Sequence, residues 1–228
     1  MKHSGKARKA ACRLILIELI VLLVILALGA IALPKGASYW TFLGAVVALW
    51  VVFALFTLYF FRDPDAQVPA GASLVLAPGH GKVDAIGTTT EPAFMGGECL
   101  RVSIFLSVFD VHVQNAPVSG KVAYFKYTAG KFLSALRADS AIYNENVLLG
   151  FEASEPRGLK VGVRLIAGVI ARRIVPFVQQ GDEVTCGERI SLIQFGSRAD
   201  VYLPANARIK VQLNDHAVGG ETVLAVLE

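Results

Sequence analysis

Two different patterns of hydrophobic and polar positions divide the chain. Residues 14–33 are apolar except for Glu18, and residues 40–61 carry no charge at all. Each run is about 20 residues long, enough for a helix rising ~1.5 Å per residue to span a hydrocarbon core of ~30 Å. Between them lies Pro34-Lys-Gly-Ala-Ser38, where proline and glycine stop one helix and Ser38 is placed to cap the next. The pattern predicts a helical hairpin over residues 14–61 that crosses a membrane twice. Tyr39 and Trp40 at one end, with Tyr59, Phe60 and Phe61 at the other, suit interfacial aromatic belts. Glu18 weakens the first span, because an ionised carboxylate at a helix centre costs about 3 kcal/mol. It lies near one end, where water can reach it. No convincing small-residue cleavage site marks the first run as a removable signal peptide, and the second run would anchor the chain in any case.

From Ala70 onward the pattern changes to short runs rich in Val, Ile and Phe, broken by glycine and proline. Residues 73–76, 100–108, 118–125, 161–171, 188–193 and 223–227 read as strands. Only residues 131–137 have the look of a short helix. The expected class is mostly β. Two internal echoes sharpen this: Ala77-Pro-Gly-His-Gly-Lys-Val83 recurs as Ala116-Pro-Val-Ser-Gly-Lys-Val122, and Gly181-Asp-Glu-Val-Thr-Cys-Gly-Glu188 as Val218-Gly-Gly-Glu-Thr-Val223. Such segments resemble the turns of biotinyl and lipoyl carrier domains. They imply a compact β-sandwich of the barrel-sandwich kind, built from intertwined hairpins.

Composition and charge agree with this division. The 228 residues are 54% hydrophobic and only 18% charged, an excess of apolar residues that the hairpin absorbs. The net charge is +4, yet Lys2, Lys6, Arg8, Lys9 and Arg13 all precede the first apolar run. The remainder is near neutral and shows no basic stripe, which argues against nucleic-acid binding. A basic stretch 1–13 instead predicts a cytoplasmic N-terminus at the cell (inner) membrane. Two crossings then return residues 62–228 to the cytoplasmic side. Three widely spaced cysteines, Cys12, Cys99 and Cys186, form neither a disulfide framework nor a zinc knuckle, so reduced thiols and no metal are expected.

Candidate chemistry is sparse. Neither a phosphate-binding loop nor a G-x-S-x-G elbow is present. Of the four histidines, His3 and His216 sit in polar stretches and read as exposed and inert. His80 lies in a Pro-Gly-His-Gly turn. His112 ends an apolar strand, with Asp110 two residues earlier on the same face and able to orient it.

The remaining residues carry a resemblance. Phe61-Arg-Asp-Pro64, Arg101-Val-Ser-Ile-Phe-Leu-Ser-Val-Phe-Asp-Val-His-Val113 and Ala116-Pro-Val-Ser-Gly120 are similar to segments of the short-type phosphatidylserine decarboxylases. So, in the same order, are Gly130-Lys-Phe-Leu133, Ile166-Ala-Gly168, Ala171-Arg-Arg-Ile-Val175, Gly187-Glu-Arg-Ile190 and Phe195-Gly-Ser-Arg-Ala-Asp-Val-Tyr-Leu-Pro204. The resemblance implies a chain that breaks its own Gly196-Ser197 bond, leaving residues 1–196 and 197–228 as partner chains. It implies that Ser197 becomes a covalent pyruvoyl group, whose ketone condenses with the substrate amine and takes up the electrons released with carbon dioxide. It further implies that His112 assists decarboxylation or returns a proton to the product. The substrate implied is a membrane phospholipid at the bilayer surface, and a homo-oligomer is compatible.

The chain departs from the pattern where Pro78-Gly-His-Gly81 replaces Pro-x-Asp-Gly, so His80 is the expected substitute base. Asn115, Asn146 and Gln194 stand where basic residues are expected, while Arg172, Arg173, Arg189 and Arg198 remain. Two alternatives stay open: a decarboxylase of another serine-headed lipid, and an unprocessed, non-catalytic membrane protein of the same fold. A carrier domain would need its lysine in an M-K-M or D-K-A tip, and neither tripeptide occurs.

Overall fold

The computed structural model describes residues 2–131, 133, 143–168 and 173–227. The chain separates into two units, one formed by Gly5–Asp63 and the other mainly by the chain from Pro64 onward. The short helix expected at residues 131–137 falls largely outside the described residues, as does Arg172.

The first unit is a helical hairpin of α1 (Lys6–Ala32) and α2 (Ala37–Phe60). Helix α1 begins inside the basic stretch, so residues 6–13 form its opening turns. Ser38 does not cap α2. Gly36, in an extended conformation, is the N-cap residue, and no side chain bonds the free N–H groups there. Both helices are long and apolar enough to cross a membrane. Large side chains such as Leu16, Ile20, Leu28, Phe53 and Leu55 face outward, an arrangement suited to lipid and not to water. Glu18 has found a partner across the hairpin: the Thr57 hydroxyl donates to its Oε1 at 2.9 Å. Such interhelical bonds are a common way of accommodating a polar group among apolar helices.

The second unit is almost entirely β. Its first strands are β1 (Leu74–Leu76), β2 (Gly81–Glu91), β3 (Gly97–Leu106), β4 (Val113–Asn115), β5 (Gly120–Thr128), β6 (Asn146–Ala153) and β7 (Lys160–Ala167). There follow β8 (Arg173–Pro176), β9 (Glu183–Val184), β10 (Arg189–Gln194), β11 (Ser197–Leu203), β12 (Arg208–Ile209), β13 (His216–Ala217) and β14 (Val223–Val226). They form an eight-stranded sheet in the order β13-β2-β3-β11-β7-β6-β5-β9, with smaller sheets β4-β10-β8 and β1-β14-β12. Alternation along the strands builds the core. On β11, Ala199, Val201 and Leu203 join Val102, Ile104 and Leu106 of β3 and Val163 and Leu165 of β7. Each fully buried Leu or Ile there contributes about 2–3 kcal/mol.

The first sequence echo proves to be a structural repeat; in the second, the counterpart of residues 181–188 is 214–221 and not 218–223, because the shared backbone bonds pair Asp182 with Asp215 and Gly187 with Gly220. Val83 N–H donates to Asp215 O at 2.9 Å, and Val122 N–H to Asp182 O at 2.8 Å. Asn214 N–H returns to Val83 O, as Gly181 N–H does to Val122 O. The Asp215 carboxylate accepts from Gln212 N, matching Asp182 and Gln179. Strand β13 pairs with β2 as β9 pairs with β5. Gly81 and Gly120 open the equivalent strands β2 and β5, and a Cβ at either would collide with a cross-strand carbonyl, Phe105 O or Glu152 O. These are the intertwined hairpins expected from the echoes, and the mostly β class holds.

Candidate active site

Gly196 and Ser197 occupy the corner where the chain leaves β10 and enters β11. Phe195 and Gly196 both have positive φ, 65° and 67°. Glycine tolerates this conformation freely; phenylalanine adopts it at a cost of about 1–2 kcal/mol. A Cβ on Gly196 would find its nearest neighbour, Val108 Cγ1, at 4.0 Å. Backbone conformation, rather than lack of room, therefore calls for glycine here.

Ser197 is fully buried, and its Oγ has no hydrogen-bond partner among the described residues. An orphaned buried hydroxyl is costly and calls for an explanation. The carbonyl of Gly196, which Ser197 follows, accepts the Gly168 N–H at 3.0 Å. His112 approaches from the other side: its Nε2 accepts the Gly196 N–H at 3.2 Å. Its Nδ1 lies 2.9 Å from the Asp110 main-chain oxygen, which can only accept. The proton thus sits on Nδ1, and the ring is a neutral imidazole presenting a lone pair at Nε2.

His112 is not at the end of a strand. Strand β3 stops at Leu106, and residues 107–112 form a turn leading into β4. Asp110 orients His112 through its carbonyl and not its carboxylate. The carboxylate accepts Ser107 N–H at 2.8 Å through Oδ2 and faces His216 Nε2 at 3.1 Å through Oδ1. His216, expected to be inert, is exposed but engaged. His80 lies just before β2, with β3 between that strand and β11. A side chain on Gly219 would meet both His80 Cδ2 and Asn115 Oδ1 at 3.0 Å, so these three residues pack tightly. The structure thus gathers Gly196, Ser197 and His112 at one corner, while His80 packs beside Gly219.

Two of the polar replacements are held internally. Asn115 Nδ2 donates to Gly187 O at 2.8 Å, and Asn146 Oδ1 accepts from Arg164 at 3.3 Å. Two of the arginines are already neutralised: Arg198 binds Asp200 Oδ1 at 2.7 Å and Ser103 Oγ at 2.8 Å, and buried Arg189 binds Asp65 at 2.8 Å. The hydrogen bond from Arg189 holds the Asp65 carboxyl below its ordinary range. Arg173 lines a cleft of about 420 Å³ with Phe125, Tyr127, Glu145, Ile174 and Pro176. Among the described residues no cluster of His, Cys, Asp and Glu could hold a metal ion.

A profile of the family described as phosphatidylserine decarboxylase matches residues 53–225, and the chain belongs to that family. It is accordingly an enzyme, a decarboxylase. The phosphatidylserine decarboxylase proenzyme of Desulfotalea psychrophila is 43% identical over 176 residues, covering 77% of this chain and 81% of its own. That of Gluconobacter oxydans is 47% identical over 180 residues, covering 78% and 79%. That of Symbiobacterium thermophilum is 42% identical over 202 residues, covering 82% and 93%.

Proposed function

We propose that the chain decarboxylates phosphatidylserine to phosphatidylethanolamine, using a pyruvoyl group that it makes from Ser197. The observation that carries this reading is the buried, unpartnered Ser197 hydroxyl beside a main-chain carbonyl already held by Gly168 N–H. The hydroxyl attacks the Gly196 carbonyl carbon, and the Gly168 N–H steadies the negative charge that develops on that oxygen. The Gly196–Ser197 amide then breaks, its nitrogen gains a proton, and an ester joins Gly196 to Ser197 Oγ. Loss of the Ser197 α-proton expels the Gly196 carboxylate and leaves a dehydroalanine. Water converts that to a ketone with release of ammonia. Serine is needed because its oxygen serves first as nucleophile and then as leaving atom.

The Nε2 lone pair of neutral His112, one residue from the hydroxyl, is the first candidate to accept its proton. His80, in place of the usual aspartate, is the second. The finished group supplies an electron sink for the pair released with carbon dioxide. His112 then holds the proton that replaces the lost carboxylate. The basic N-terminus and the two apolar helices support a catalytic unit at the cytoplasmic face of the inner membrane, beside a phospholipid substrate.

Intact mass of the purified protein tests this reading. Two fragments, 1–196 and 197–228, with the smaller blocked at its N-terminus by a pyruvoyl group, are expected. A single unbroken chain would favour a dormant or non-catalytic member of the family.

A further inference from the structure

We propose that His216 is a positioning residue for His112, acting through Asp110; this rests on the self-cleavage reading above. Asp110 touches both. Its main-chain oxygen fixes the Nδ1 proton of His112 at 2.9 Å. Its two carboxylate oxygens are held separately, Oδ2 by the Ser107 N–H at 2.8 Å and Oδ1 by His216 Nε2 at 3.1 Å. The turn over residues 107–112 thus has an inner fastening, on its own backbone, and an outer one on strand β13. Releasing the outer fastening frees the Asp110 carboxylate to rotate, and with it the carbonyl that sets the His112 tautomer and aims Nε2 at Gly196.

The internal repeat supplies an independent reason to single out His216. Its counterpart on β9 is Glu183, which pairs with Lys121 as His216 pairs with Lys82. A glutamate opposite a lysine is the ordinary cross-strand choice. On β13 the acidic residue is exchanged for an imidazole, and that is the copy of the hairpin facing Asp110. A glutamate at 216 would repel the Asp110 carboxylate, whereas an imidazole donates to it whether neutral or charged.

The clasp lies at the surface. His216 is 62% exposed and Asp110 15%, so the pair is open to solvent on the histidine side. The charged groups around His216 are Asp110 from the turn, Lys82 across the ladder and Asp215 before it in the chain. The Asp215 carboxylate is occupied by Gln212 N–H.

The test compares wild type, His216→Ala and His216→Lys as full-length protein in detergent, following conversion to fragments 1–196 and 197–228. His216→Ala is expected to slow cleavage about fivefold, as befits one exposed hydrogen bond. His216→Lys, which keeps a donor for the Asp110 carboxylate, is expected to restore the rate. Equal rates for His216→Ala and wild type, or no rescue by lysine, would overturn the proposal. If wild type itself stays whole, the self-cleavage reading fails, and the ¹⁵N imidazole spectrum of His112 decides this one. An Nδ1–H signal that broadens in His216→Ala and returns in His216→Lys supports the clasp; a signal indifferent to both refutes it.

Discussion

The Gly168 amide donates to the Gly196 carbonyl at 3.0 Å, and that carbonyl belongs to the bond preceding the buried Ser197. The contact is the last rung of the ladder between β7 and β11, continuing the pairing of Ala167 with Ser197. A routine sheet hydrogen bond is thereby aimed at the one carbonyl where charge is proposed to develop. Removing the nucleophile should leave this frame intact. Ser197→Ala is expected to fold with unchanged thermal stability, within about 0.5 kcal/mol, and to show no cleavage by intact mass. A cleaved Ser197→Ala chain would refute the assignment.

Gly196→Ala separates conformation from crowding. The nearest atom to an added methyl is 4.0 Å away, so no clash opposes it, but φ is 67°. The expected cost is about 1 kcal/mol, appearing as a lower unfolding midpoint and several-fold slower cleavage. Loss of folding altogether would show that the corner is packed more tightly than this geometry implies.

His112→Ala removes the imidazole that accepts the Gly196 N–H. Cleavage should slow by about 10²- to 10⁴-fold, the usual contribution of a positioned acid–base group. His80→Ala, made in parallel, distinguishes the two histidines by the same mass assay. If only His80→Ala stalls, the base lies on the β2 side and His112 acts only in decarboxylation.

Burial pushes the Cys186 thiol up to about 11. Only the thiolate is alkylated, so at pH 8 its reaction should be roughly a hundredfold slower than that of an ordinary thiol near 9. The rate should rise tenfold per pH unit until the pH passes the raised value. Rapid labelling of Cys186 at pH 8, read by peptide mass, would contradict the burial.

In the hairpin, Thr57→Val deletes the hydroxyl that donates to Glu18. The expected loss is about 1 kcal/mol of thermal stability in detergent. Glu18→Gln, which keeps an acceptor oxygen, should lose less. An unchanged melting curve for Thr57→Val would mean that the bond contributes nothing to helix association.

Much of this was legible in the residues. The apolar runs gave the hairpin, and the echoes around Ala77 and Ala116 gave the intertwined β architecture, because glycine and aspartate at fixed offsets constrain turns strongly. Ser197 and His112 were singled out through the resemblance carried by the ordered motifs around them. What escaped was contact that crosses the fold. Gly168 takes part through its backbone amide, which every residue type except proline possesses. The Asp110 carboxylate was expected to serve His112 because alternation along a strand puts both on one face. The strand ends at Leu106, and in the turn that follows the carbonyl takes that role instead. His216 looked inert because its partner is 106 residues away in sequence. Ser38 failed as a cap because the helix begins two residues earlier than the polar residue suggests.

Strand β11 starts at Ser197, runs between β3 and β7, and is buried along its whole length. A cut before its first residue would leave the small fragment woven through two sheets, since it also carries β12, β13 and β14. Before the cut, folding is a first-order event of one chain. Afterwards the same native contacts join two molecules, so recovery from denaturation becomes second order and depends on protein concentration. Maturation by such a cut would turn a refoldable chain into one whose survival rests on never coming apart.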